Sequence, residues 1–151
     1  MTSEIVFRRG TSMGKTSEMP SLPRESLGVV LSALSGRRFP LEDEKQTQAA
    51  IAKVLDDTFD HWSREERIAG GVIDFVVGFY EPSSPPLRSV RLVSIGIEVK
   101  LKGSPRDIAR QLKGYAAEPA LDGLVLVTAK AMALPETIGG KPVAVLDLGS
   151  G

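Results

Sequence analysis

The amino-acid sequence predicts a single α/β domain, with a mixed central sheet flanked by helices, and three observations carry that reading. Apolar runs of strand type occupy residues 71–77, 89–102 and 121–128. Helix-period patterns stand before the first run, at 41–59, and between the last two, at 104–115. The last apolar run is continuous rather than alternating, which suits a strand buried on both faces of a sheet. With 151 residues, 42% of them hydrophobic and 25% charged, the chain is long enough for one domain with a proper core and too short for two.

In chain order, residues 1–26 read as an N-terminal arm, flexible or dimer-forming, ahead of a domain over 27–151. Within the arm, Gly10 to Thr16 imitates a phosphate-binding P-loop. Three residues separate its glycines where the motif needs four, and Pro20 and Pro23 interrupt the helix that should follow. Arg8, Arg9 and Lys15 make the arm available to phosphates or to a partner subunit instead. Residues 27–34 form a short apolar helix ending near Gly36. The helix over 41–59 is acidic in its first turn, as the helix dipole favours, and its buried stripe runs through Ile51, Val54, Leu55 and Phe59. Extended backwards, that stripe passes Gln48 and Glu44, either of which reaches the sheet unless the face is simply solvated.

Residues 61–68 read as a polar edge strand with Trp62 partly buried at its start, and Gly70-Gly71 as a turn into the strand of Asp74. A proline-rich loop over 81–87 precedes the long central strand over 89–102. Ser104 is placed to cap the next helix, with Pro105 at its first position and Asp107 in its first turn. Ile108, Leu112 and Tyr115 form the inward stripe of that helix with Gln111 beside it, while Arg106, Arg110 and Lys113 line another side. Residues 134–140 connect to a last strand over 142–148. No internal repeat is present.

Composition narrows the chemistry. Without cysteine the chain has no disulfide, thiolate zinc site or cysteine nucleophile, and its single histidine, His61, argues against His-rich metal sites. No apolar run approaches a membrane span and the N-terminus lacks a signal-peptide core, so no membrane association and a cytoplasmic location are expected. The net charge is +0, yet five basic residues crowd residues 100–113 against Asp107 alone, and eight acids fall within residues 42–66.

The costly charges sit in the strands. Alternation turns Ile95, Ile97 and Val99 to one face and Gly96, Glu98 and Lys100 to the other, and Asp74 lies within its own apolar run. Buried ionised groups cost several kcal/mol unless paired or metal-bound. A plain Glu98–Lys100 salt bridge is the simple account; a divalent-metal site with Asp74 and Glu98 as hard oxygen ligands explains all three.

On Asp74 followed by Glu98-Val99-Lys100, the chain resembles the PD-(D/E)XK nuclease superfamily, with Ile73 in place of the usual proline before the first acid. Arg110-Gln111-Leu112-Lys113-Gly114-Tyr115 is similar to an Arg-Gln-Leu-x-x-Tyr pattern of several members. The order helix, three strands, helix, strand matches the superfamily's αβββαβ restriction-endonuclease-like core over residues 41–148. The resemblance implies that Asp74, Glu98 and the main-chain carbonyl of Val99 bind Mg²⁺ or Mn²⁺, and that Lys100 holds the phosphate or orients the attacking water. It also implies that Glu44 supports a second metal or a water and that Gln111 positions Lys100 or the water. Lys102, Arg106, Arg110 and Lys113 would grip the DNA backbone. The expected activity is that of a metal-dependent DNA endonuclease, a hydrolase serving repair, restriction or a mobile element, on duplex, branched or single-stranded DNA, with a homodimer expected for duplexes or junctions. The alternative is a non-catalytic protein of this fold that binds nucleic acid or another protein.

Overall fold

The computed structural model describes residues 8–9, 23–81 and 90–149. Within them ten elements follow in order. The strand β1 (Arg8–Arg9) comes first, then the helices α1 (Pro23–Leu34) and α2 (Glu44–Thr58). Three strands follow, β2 (His61–Ile68), β3 (Gly71–Tyr80) and β4 (Arg91–Lys100). The helix α3 (Pro105–Ala116) leads to β5 (Gly123–Thr128), β6 (Thr137–Ile138) and β7 (Lys141–Asp147). The strands form one sheet in the order β1-β2-β3-β4-β5-β7-β6. Strands β2, β3 and β4 are an antiparallel meander, whereas β4, β5 and β7 run parallel. The molecule is therefore α/β with a mixed sheet, and α3 is the crossover between the parallel neighbours β4 and β5, which no tight turn could join.

Alternation along the strands divides the apolar side chains between two layers. On one face, Ile95, Ile97 and Val99 of β4 pack with Val125 and Val127 against α1 and α2, through Leu27, Val30 and Leu34 of the first helix and Ile51, Val54 and Leu55 of the second. On the other face, Ile108, Leu112 and Tyr115 of α3 cover Ile73, Val76, Leu124 and Leu126. All six residues of β5 are buried, as its unbroken apolar run requires.

Several boundaries differ from the sequence expectations, each for a local reason. The helix expected over 41–59 begins at Glu44, because Asp43 caps it: its carboxylate accepts the Lys45 N–H at 3.0 Å and its carbonyl accepts from Gln46 and Thr47. Thr47, buried, turns its hydroxyl back onto the Pro40 carbonyl, so residues 41–43 are held as an entry bend with Leu41 exposed. Helix α1 starts at Pro23 rather than residue 27, using the proline at its first position. The edge expected at β2 is covered by β1, paired through Arg8 and Trp62. Trp62 is buried, tilted against Phe75, with its indole N–H donated to Asp56, while the His61 ring lies tilted against Tyr80 with centroids 4.3 Å apart. Strand β4 spans 91–100 within the expected 89–102, and β6 lies within the expected connector. The P-loop imitation, Lys15 and the proline-rich loop fall outside the described residues.

Helix α3 reaches the sheet through two glycines. A Cβ on Gly70, whose φ is +88°, would stand 2.7 Å from the Gly114 carbonyl carbon, so the β2–β3 turn and the α3 backbone touch directly. That contact sets the depth of α3, and hence of Tyr115, over β3. We expect Gly70→Ala to lower stability by about 3 kcal/mol, combining a clash with a left-handed backbone, while Gly36→Ala, left-handed in open space, lowers it by about 1 kcal/mol. Urea unfolding of the two variants checks the difference.

Candidate functional site

The site forms where β3 and β4 part. Their paired register runs from Tyr80 and Arg91 down to Phe75 and Ile97 and stops there. Beyond that point carboxylates take over from the ladder. The Val99 N–H donates to Asp74 Oδ2 at 2.7 Å, the Leu101 N–H to Glu44 Oε1 at 3.0 Å, and the Asp74 N–H to Glu98 Oε1 at 3.2 Å. Val99 lies at the end of β4 and Leu101 just past it, and the N–H of each is met by a carboxylate where β3 has left. Buried main-chain donors need partners, and acidic side chains supply them here.

Each side chain has a definite source. Glu98 is 2% exposed because β4 alternation turns it inward, toward the α3 layer. Lys100, half-buried at the end of β4, places Nζ 3.3 Å from Glu98 Oε2. Glu44 opens α2, and one turn later Gln48 lies beside the Asp74 carboxylate. From the opposite layer, the Tyr115 hydroxyl donates to the Val72 carbonyl at 2.8 Å, accepts from Gln111 Nε2 at 2.9 Å and lies beside Glu98.

The electrostatics follow from burial and crowding. Desolvation, and then the Asp74 charge, push Glu98 up to about 7, against the pull of Lys100. Asp74 is also raised, chiefly by burial and further by Glu44, with the Val99 N–H and Lys100 opposing. Burial and the same two carboxylates hold the Tyr115 hydroxyl above its ordinary value. Like charges in a dry site leave negative charge that one lysine only partly offsets.

The structure thus brings Asp74, Glu98, Lys100 and Glu44 to one place, and it answers the choice between Glu44 and Gln48, since both reach it. Gln111 stands one step back, its amide on Tyr115 and not on Lys100. Val99 presents its N–H to Asp74. Lys102, Arg106, Arg110 and Lys113 are exposed, and Arg110 pairs loosely with Asp107 at 3.7 Å. An open groove of about 460 Å³, lined by Glu42, Asp43, Glu44, Lys100, Lys102 and Gly103, leads from the surface to Lys100.

Sequence reasoning missed the polar role of the Tyr115 hydroxyl, bonded to Val72 and Gln111 beside Glu98, placing that residue only on an apolar stripe. It also missed Lys130, whose Nζ donates to the Gly103 carbonyl at 2.7 Å and extends the basic surface beyond β5. Neither carries a local signal, because both depend on how α3 and the loop after β5 close over the sheet.

Among the described residues, no three His, Cys, Asp or Glu side chains group tightly enough to hold a metal ion, and no helix is long and apolar enough to cross a membrane. No protein-family model, no curated protein and no solved structure matches the chain.

A raised carboxylate makes stability depend on pH. Between pH 4.5 and about 7 the unfolded chain releases the Glu98 proton that the folded chain keeps, so the stability this group contributes is fully present below that window and is lost as pH rises through it. Denaturant unfolding in EDTA should lose up to about 3 kcal/mol across this range, and Glu98→Gln should flatten the loss.

Proposed function

We propose that the chain is a metal-dependent DNA endonuclease of PD-(D/E)XK type, hydrolysing phosphodiester bonds on a restriction-endonuclease-like αβββαβ core. The observation that carries this reading is the convergence of Asp74, Glu98 and Lys100 at the opening between β3 and β4, beside a groove open to solvent. The element order from α2 to β5, helix, three antiparallel strands, helix and parallel strand, supports it.

The donor chemistry fits a hard divalent cation. Burial first, and then the Asp74 charge on Glu98 and the Glu44 charge on Asp74, disfavour the ionised carboxylates, a cost that a hard divalent cation would offset. Asp74 and Glu98 each keep one oxygen outside their main-chain hydrogen bonds. These two carboxylates, with the main-chain carbonyl of Val99, would hold Mg²⁺ or Mn²⁺. Such an ion, when bound, neutralises charge on the scissile phosphate and lowers the pKa of a coordinated water.

The chain's own residues do the remainder. Lys100, steadied by Glu98, binds a non-bridging phosphate oxygen and orients the attacking water. Gln111 fixes the Tyr115 hydroxyl beside Glu98, and Glu44 anchors the end of β4 that carries Lys100. Lys102, Arg106, Arg110 and Lys113 hold the backbone of the nucleic acid without reading sequence. One such centre cuts one strand, so action on a duplex calls for two copies of the chain.

One observation favours a second reading. Each of the three carboxylates satisfies a main-chain N–H, as side chains retained only to close the sheet opening would. In that case the protein is a non-catalytic binder of nucleic acid or of another protein.

Incubation with supercoiled plasmid, single-stranded and branched DNA in Mg²⁺, Mn²⁺ or EDTA separates the two. Metal-dependent cutting is expected, with Glu98→Ala and Lys100→Ala abolishing cleavage while DNA binding stays within about twofold. Asp74→Asn should lose cleavage and also bind Mn²⁺ more weakly in titration calorimetry. A wild-type protein that neither cuts DNA nor binds Mn²⁺ would establish the second reading. Replacing Arg106 and Arg110 together by Ala should weaken binding and reduce the slope of log affinity against log salt by about 2; an unchanged slope would move the DNA path elsewhere.

A further inference from the structure

The opening at Asp74 has a counterpart on the neighbouring strand. Strands β2 and β3 are paired from Trp62 with Val77 to Ile68 with Gly71, in the same register throughout, and one pair is missing: Glu65 with Asp74. Glu65 is also the sole described residue other than glycine with a positive φ, at +56°. A left-handed backbone is uncommon outside glycine and costs energy that surrounding structure must hold in place.

The faces of β3 change at the same point. Ile73 and Val76, three residues apart, both belong to the core under α3, while Phe75 belongs to the core under α1 and α2. In a regular strand, residues three apart face opposite sides. The chain therefore turns between Ile73 and Phe75, and Ile73 fills the notch above Gly96, where a Cβ would lie 2.5 Å from Ile73 Cδ1. Asp74 is left between the layers. Its N–H meets Glu98, which faces α3, while its carboxylate meets Gln48 from α2 on the other side. A regular strand would turn Asp74 to the α3 face alone, away from Gln48, and would set it opposite Glu65 in the ladder.

We propose that Glu65 is a positioning residue for this site, acting through its backbone. Its left-handed conformation removes one rung of the β2–β3 ladder and releases Asp74 to face Glu98, Val99 and Gln48 together. The exposed Glu65 side chain takes no part. The consequence for metal binding rests on the function proposed above, whereas the rearrangement of the Asp74 main chain does not.

Three variants separate conformation from side chain. Glu65→Gly and Glu65→Asn accept a left-handed backbone, and the β-branched Glu65→Val opposes it. By titration calorimetry the Gly and Asn variants should bind Mn²⁺ as the wild type does, with the Gly variant melting no lower. The Val variant, folded by circular dichroism, should bind Mn²⁺ at least tenfold more weakly. A lowered melting temperature with unchanged Mn²⁺ affinity in the Val variant would mean a purely structural residue and would overturn the proposal. So would weakened binding in the Gly variant.

A metal-free measurement decides the point independently. Glu98→Ala should speed hydrogen exchange at the Asp74 amide in the wild-type background and not in the Val background, where that amide returns to the ladder; an equal effect in both overturns the proposal. Failure of wild-type protein to bind Mn²⁺ thus removes the metal reading and leaves Glu65 to be judged by exchange. Should the Val variant not fold, loss of the Glu98-dependent protection in the Gly or Asn variant overturns the proposal, and its retention supports it.

Discussion

The structure depends on one constraint: buried main-chain N–H groups must find acceptors where β3 leaves β4. A continued ladder would supply carbonyls. Here the acceptors are the carboxylates of Asp74, Glu98 and Glu44, drawn from two strands and a helix. This arrangement satisfies the donors but concentrates negative charge in a desolvated place, which is why Glu98 titrates so high. The same requirement that closes the backbone therefore builds an electrostatically unfinished centre, and Lys100 is the nearest compensation.

The surrounding packing makes that centre rigid. Helix α2 is tied to the strand ends by Glu44 and Gln48, and its apolar stripe through Ile51, Val54 and Leu55 fixes its height over the sheet. Helix α3 comes close because Gly70 and Gly114 allow backbone contact, which delivers Tyr115 to the Val72 carbonyl and to Glu98. The other end of β4 is closed by a second polar network. Asp122 accepts the Ser94 N–H at 2.8 Å, and buried Glu118 accepts from Ala69 and Ala120. Lys141 donates to the Glu118 carbonyl, its pKa lowered by burial. That network ties main-chain donors together, whereas at the Asp74 end Glu44 and Lys100 line an open groove.

Much of the fold was legible because it follows from period and punctuation. Alternation in residues 94–100 placed Glu98 on the face opposite Ile95, Ile97 and Val99, where the structure has it. The buried stripe of α2 and the Ser104-Pro105 start of α3 were equally local. Less legible were the entry bend before Glu44, set by a Thr47 hydroxyl reaching back to Pro40, and the cover of β2 by Arg8–Arg9, which joins residues far apart in sequence.

For the site, residue identities alone specify the chemistry at hand: two carboxylates and a lysine on apolar strands, an acidic helix start and a basic helix face, with no thiol to compete. Tertiary structure decided which of these groups meet. That Glu44 and Gln48 both arrive, that Gln111 stops at Tyr115, and that Asp74 stands between two layers all depend on the divergence of β3 and on the backbone of Glu65. Residue identities fix charge and period along the chain. A broken rung between two strands is a property of their pairing, and no single stretch of sequence contains it.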